Sequence, residues 1–329
     1  MGRGADDHRA LDAAVMTRAD FAAVRRRVLE LHAAGDYATA LEVARAAAAD
    51  FPEEAARTTY WIACLLALVE GPEPALATLE DGSRRGLWWA PQMLETDPDL
   101  ALLRAGARFR AIVEAGRRAQ ALAAARPPVE PIVRLPASGQ PRAALVMLHA
   151  RGQRAEDVVE ASAAATDVLL VAPHSTQPFD TRDSCWDEPQ RAEADVRRAV
   201  DSALAGWADL PLVVAGFSQG AGLAVFLAAA GRLRGLVGCL AVAPTAEWAR
   251  ELIGSEIHSV RGLRFALIIG DLDPRLDDCR RLAEELRASG AEVRLDVIAG
   301  LGHDYPADFP QRLPPIVDWL LSYDLRSAP

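Results

Sequence analysis

A β-branched apolar run, Leu212-Val213-Val214-Ala215, enters Gly216-Phe217-Ser218-Gln219-Gly220, and an Ala/Leu-rich stretch from Leu223 to Ala230 leaves it. This reads as strand, sharp turn and helix. Glycines two residues either side of Ser218 fit a turn so tight that a side chain there would collide with the strand or the helix. The serine hydroxyl then stands at a helix N-terminus, where unpaired backbone N–H groups and the helix dipole favour a developing negative charge. A Gly-x-Ser-x-Gly pattern alone recurs by chance; the flanking strand and helix make it specific.

Around this elbow the C-terminal part of the chain alternates. Strand-length apolar runs lie at 143–148, 168–171, 212–215, 236–242, 265–269 and 293–298, with helical patterns at 155–165, 190–205, 220–230, 246–257, 276–289 and 308–321. Continuous apolar strands alternating with helices imply a mostly parallel sheet covered on both faces, an α/β fold. Each turn leaving a strand's C-terminal end is then a candidate position for function.

Those turns hold the remaining chemistry. A serine nucleophile needs a base, a carboxylate to orient the base, and donors for an oxyanion. Gly270-Asp271-Leu272-Asp273-Pro274 follows one strand, and Ala299-Gly300-Leu301-Gly302-His303-Asp304 follows the next. The chain order Ser218, Asp273, His303 is that expected of an α/β-hydrolase. Asp273, ahead of the proline that fixes the turn, is preferred as the acid; Asp271 stays open as an alternative or as a turn-forming residue. His149 and His174 also follow strands but precede the nucleophile, His8 and His32 lie in the helical part, and His258 falls in a helical pattern. Expected oxyanion donors are the backbone N–H of Gln219, next to the nucleophile, and that of Arg151, in the turn Leu148-His149-Ala150-Arg151-Gly152 after the first strand.

Together these motifs, with Glu156-Asp157 after the first turn, resemble the carboxylesterase/lysophospholipase/acyl-protein thioesterase family of α/β-hydrolases over roughly residues 140–325. The resemblance implies hydrolysis of carboxylic esters or thioesters through an acyl-serine intermediate, with no metal or organic cofactor. Ser184-Cys185-Trp186-Asp187 is similar to the family's aromatic substrate-side loop, which places Trp186 and Phe179 against a small-molecule substrate. Two departures stand out: Ala150 occupies a position where the family usually carries glycine, and a helical region precedes the family's compact plan.

That region, 1–125, is poor in strand signals. Phe21, Val24, Val28 and Leu31 keep a helical period, Gly35-Asp36 breaks it, and Tyr37 to Asp50 carries Ala40, Leu41, Ala44 and Ala47 at three-to-four spacing before Phe51-Pro52. The second helix resembles the latter half of a tetratricopeptide repeat. A weaker echo follows: residues 54–70 helical, Gly71-Pro72 as a break, then 75–85. Two imperfect copies are fewer than the three or more that a free-standing solenoid needs. The Leu87-Trp88-Trp89 to Phe109 segment reads as a cap, its tryptophans as packing. The three prolines in Arg126-Pro127-Pro128-Val129-Glu130-Pro131 mark a linker at 126–131, with the α/β domain at 132–329.

Composition narrows the partners. At 329 residues, 51% hydrophobic and 25% charged, the chain suits a globular protein with a sizeable core. A formal net charge of −10 argues against nucleic acid and against unaided binding to anionic membranes. Met1 to Asp7 holds no apolar signal region, Asp6 fails the myristoylation pattern, and Tyr60–Val69 is too short to span a bilayer. Cys64, Cys185, Cys239 and Cys279 lack paired spacing and read as reduced thiols of a cytoplasmic protein. The helical region suits a protein partner or self-association. A second reading of the whole chain, as a helical-repeat interaction scaffold with a slow or inactive hydrolase domain, stands beside the enzyme reading.

Overall fold

The computed structural model describes residues 18–207, 209–254 and 260–322. Met1 to Asp7, His8 and His258 lie outside the described residues. The chain divides into two compact units, the second beginning at Ala121, in the last turn of the helix that closes the first.

The first unit is helical: α1 (Arg18–Ala33), α2 (Tyr37–Asp50), α3 (Ala55–Val69), α4 (Pro72–Arg84), α5 (Pro91–Thr96) and α6 (Ala107–Ala124), with 3-10 turns at Pro52–Glu54 and Pro98–Leu103. Asp36 caps α2 through the Thr39 N–H, and α1 packs on α2, α2 on α3 and α3 on α4. Small buried residues at the seams, Ala40, Ala44, Ala47 and Ala63, fit that stacking. Pro72 opens α4 rather than ending a helix, because proline lacks only an N–H that the first turn leaves unpaired anyway. Trp89 is fully buried, donating from Nε1 to the Ala56 carbonyl at 2.8 Å, as a packing role requires. Among the described residues no helix is long and apolar enough to cross a membrane.

The second unit is a seven-stranded sheet: β1 (Ile132–Arg134), β2 (Ala144–Leu148), β3 (Leu169–Ala172), β4 (Leu212–Phe217), β5 (Leu236–Val242), β6 (Arg264–Gly270) and β7 (Glu292–Ile298). Its order is β1-β3-β2-β4-β5-β6-β7, with β1 antiparallel to β3 and every other pair parallel. Six strands match the apolar runs; β1 is an addition that the sequence pattern does not announce. Helices α7 (Ala155–Ala161), α8 (Pro189–Ala203), α9 (Gln219–Ala229), α10 (Ala246–Ile253), α11 (Leu276–Ala288) and α12 (Phe309–Leu321) flank the sheet. Helix α10 is shorter than its pattern, and residues 255–259 lie outside the described ones.

Alternation along the strands splits the core between the two faces. Val146, Leu148, Val214 and Ala241 pack with α8 to α11, whereas Leu145, Met147, Val213, Ala215 and Leu240 pack with α7 and α12. Every residue of β2, β3 and β4 is buried, while β7 exposes Glu292, Arg294 and Asp296 and closes the edge with charge. Strand order reverses between β2 and β4, so the crevice beyond their C-terminal ends is the switch point where ligands of open α/β sheets bind. The mixed sheet, its antiparallel edge strand and the turn-to-helix step after β4 constitute an α/β-hydrolase fold.

Candidate active site

The turn between β4 and α9 is held by backbone contacts that leave no room for side chains. A Cβ on Gly216 would lie 2.4 Å from the Gly220 carbonyl carbon, and one on Gly220 would lie 2.4 Å from the carbonyl oxygens of both Leu148 and His149. Ser218 between them adopts φ 55°, a left-handed conformation costly for a residue with a side chain. Backbone bonds fix it: its N–H donates to Val242 O at 3.0 Å, and its carbonyl accepts from Gly222 and Thr245. Gly220→Ala is therefore expected to lower stability by about 1–3 kcal/mol or more, since rigid backbone must give way; thermal unfolding measures it, and an unshifted Tm would contradict the close approach.

Three loops converge on the serine. Ser218 Oγ lies 2.8 Å from His303 Nε2, and His303 Nδ1 lies 2.6 Å from Asp273 Oδ2. The Asp273 side chain is fully buried while the imidazole is 29% exposed, so the carboxylate is shielded and the imidazole remains accessible. The other carboxylate oxygen of Asp273 accepts the Arg275 N–H at 3.0 Å. Burial opposes ionisation of Asp273, but the bonds from His303 and the Arg275 amide outweigh it and hold the carboxyl below its ordinary range. An ionised acceptor at Nδ1 makes that nitrogen the N–H and leaves the Nε2 lone pair facing the serine.

Asp271 is placed differently. Its Oδ1 accepts the Gly300 N–H at 2.7 Å, tying the loop after β6 to the loop after β7. Of the two acids left open by the sequence, Asp273 is the one beside His303.

Two neighbours escaped the sequence reading. Phe217 stacks on Tyr305 at 4.6 Å between centroids and lies 5.3 Å from the His303 ring, backing the imidazole with an aromatic wall. Arg275 Nη1 lies 3.1 Å from His303 Nδ1 and 3.7 Å from Asp273 Oδ1. Because Nδ1 gives its only hydrogen to Asp273, the guanidinium contact is electrostatic rather than a second hydrogen bond. An arginine after Asp-Pro carries no sequence signal of such a place.

The expected oxyanion donors sit on facing segments. Gln219 is the first residue of α9, and Arg151 lies in the turn after β2. On either side of Arg151, the Ala150 N–H donates to Gln153 Oε1 at 3.2 Å and the Gly152 N–H to Ser184 O at 2.9 Å. Glycine is not required at position 150, since the left-handed residue of this turn is Gly152, with φ 70°.

The expected substrate contact of Trp186 is corrected. Its side chain has no exposed surface; Nε1 donates to the His149 carbonyl at 2.8 Å, and the ring lies 4.6 Å from that of His149. Trp186 supports the turn from beneath. Phe179 is nearly buried, 9% exposed, and the Arg151 guanidinium covers its ring at 4.6 Å. His149 is pushed down to about 4 by burial and is neutral at physiological pH.

Among the described residues one cluster has metal-ligating side chains close together: Cys64, Asp97 and Asp99, with donor atoms within 4.8 Å of one another. These atoms hydrogen-bond within the first unit instead. Tyr60 and the Cys64 thiol donate to Asp97, and His32 Nε2 lies 2.8 Å from Asp99. Burial pushes the Cys64 thiol far up, which favours a protonated brace.

No family model matches the chain, and no curated protein matches it. Solved structures do. An uncharacterised protein from Bacillus cereus is similar over 92% of this chain and 98% of its own, at 20% identity and a TM-score of 0.48. Zea mays acyl-protein thioesterase 2 is similar over 59% of this chain and 99% of its own, at 19% identity and TM-score 0.46. A Bacillus cereus carboxylesterase covers 58% of this chain and 94% of its own, at 15% identity and TM-score 0.48. The geometry, not these distant likenesses, carries the functional reading.

Proposed function

We propose that the protein is a serine hydrolase that cleaves carboxylic esters or thioesters through an acyl-serine intermediate. The supporting observation is the unbroken line of hydrogen-bond distances from Ser218 Oγ through His303 to Asp273. In this reading Ser218 Oγ attacks the substrate carbonyl while His303 Nε2 takes its proton, and Asp273 stabilises the imidazolium that forms. The carbonyl oxygen becomes an oxyanion facing the N–H groups of Gln219 and Arg151, aided by the N-terminus of α9. His303 then passes the proton to the departing alcohol or thiol, leaving an acyl-serine. Water, deprotonated by the same imidazole, releases the acid and restores the serine.

In the same reading the region 1–125, joined by the linker at 126–131, serves a protein partner or self-association. Four free, buried cysteines fit a reducing compartment such as the cytoplasm. A fluorophosphonate probe should label Ser218 and no other residue of the native protein, with labelling lost on unfolding. Mass spectrometry of the labelled peptide reads the site; a folded protein that resists the probe would instead favour the scaffold reading.

A further inference from the structure

The two oxyanion donors come from separate segments, and an oxyanion hole works only when both N–H groups point at one oxygen, about 2.7–3.1 Å away. The sheet pairs β2 with β4 as far as Leu148 and Gly216, short of either donor. One carboxylate bridges the remaining gap. Asp187 Oδ1 accepts from Arg151 Nε at 2.9 Å and from Gln219 Nε2 at 2.8 Å, while Oδ2 accepts from Arg151 Nη2 at 2.8 Å.

The Gln219 amide has one orientation that satisfies its surroundings, because Oε1 accepts the Trp186 N–H at 2.9 Å while Nε2 faces Asp187. Each donor residue is thus gripped by its own side chain, so rotating either peptide strains a bond to Asp187. Backbone bonds hold the Asp187 loop in turn: Gly152 N–H to Ser184 O at 2.9 Å and Ser184 N–H to Gln153 O at 3.1 Å. Burial disfavours the Asp187 carboxylate, yet Arg151 and Gln219 hold it below the ordinary range, so the clamp is charged at neutral pH.

We propose that Asp187 is the positioning residue of the oxyanion hole, setting the separation of the Arg151 and Gln219 amides by clamping both side chains. The proposal rests on the serine-hydrolase reading of Ser218. Asp187 touches no reacting atom; it acts through the two donors. Misplacing a donor by about 1 Å costs on the order of 10²-fold in rate, and a strong bidentate arginine–carboxylate pair is suited to prevent that.

The test uses the full-length protein and p-nitrophenyl acetate. Asp187→Ala is expected to lower kcat roughly 10- to 100-fold with KM nearly unchanged, and Asp187→Asn, which retains an acceptor oxygen, to fall between it and wild type. Affinity for a trifluoromethyl ketone, whose adduct with Ser218 places an oxyanion in the hole, should weaken by the same factor as kcat, while affinity for the corresponding methyl ketone holds. Gln219→Met keeps the backbone N–H and removes the side-chain link; it should reproduce the loss and serves if Asp187→Ala does not fold. Wild-type kcat and ketone affinity in the variants would overturn the clamp, as would equal weakening of both ketones, the mark of general loosening. A wild type that neither hydrolyses the ester nor takes a fluorophosphonate on Ser218 overturns the hydrolase reading and the clamp with it; an active wild type with indifferent variants overturns the clamp alone.

Discussion

Replacing Ser218 with alanine is expected to lower kcat/KM for an ester substrate by on the order of 10⁴-fold or more. The change removes the atom that would carry the acyl group and leaves His303 Nε2 without its 2.8 Å partner. It leaves the fold alone: the strained φ of 55° is set by backbone bonds to Val242, Gly222 and Thr245, none of which uses the hydroxyl. An unchanged Tm beside the lost turnover separates chemistry from stability. Activity within tenfold of wild type would remove Ser218 from its assigned role.

Asp273→Asn is expected to cost about 10⁴-fold in kcat, for a different reason. The imidazole needs its hydrogen on Nδ1 so that Nε2 can accept the serine proton, and an ionised Asp273 Oδ2 at 2.6 Å enforces that tautomer. An amide in the same place can present its NH₂ group instead, which turns the lone pair to Nδ1 and the hydrogen to Nε2. The carboxyl of Asp273 is held below its ordinary 3.8, so the ionised form stabilises the folded state at neutral pH. That contribution is present above pH 3.8, fades as pH falls through the folded pKa, and is absent from the Asn variant. Asp271→Asn is the control: it keeps an oxygen for the Gly300 N–H and should change kcat only a few-fold. Steady-state kinetics of the two variants decide the matter, and a larger loss at position 271 would reverse the assignment.

The sequence is most readable where local pattern and chain order suffice. Leu212–Ala215 leading into two glycines around a serine specifies the elbow, and β2, β3 and β4 are buried on every residue, so their periodicity could not mislead. The order Ser, Asp, His follows from which strand each turn leaves. Tertiary contacts decide the rest. Strand β1 has three residues, one of them the exposed Val133, and exists because β3 offers an edge. Helix α6 hides its buried Phe109, Ile112, Val113 and Gly116 in an Arg/Ala-rich stretch, of which only the first three residues belong to the segment that reads as a cap. Asp271 and Asp273 share one turn; their partners, Gly300 and His303, sit on another strand's loop. Trp186 looks like a substrate wall from its neighbours in the chain, and only the His149 carbonyl reveals it as a support.

The central claim, a covalent acyl-serine, is tested most directly by rapid quenching of the protein after mixing with p-nitrophenyl acetate. The account predicts a burst of about one p-nitrophenolate per chain and an acetyl group recovered on the peptide containing Ser218, both absent from Ser218→Ala. Ester turnover without acetylation of that peptide, or equal turnover by the alanine variant, would contradict it.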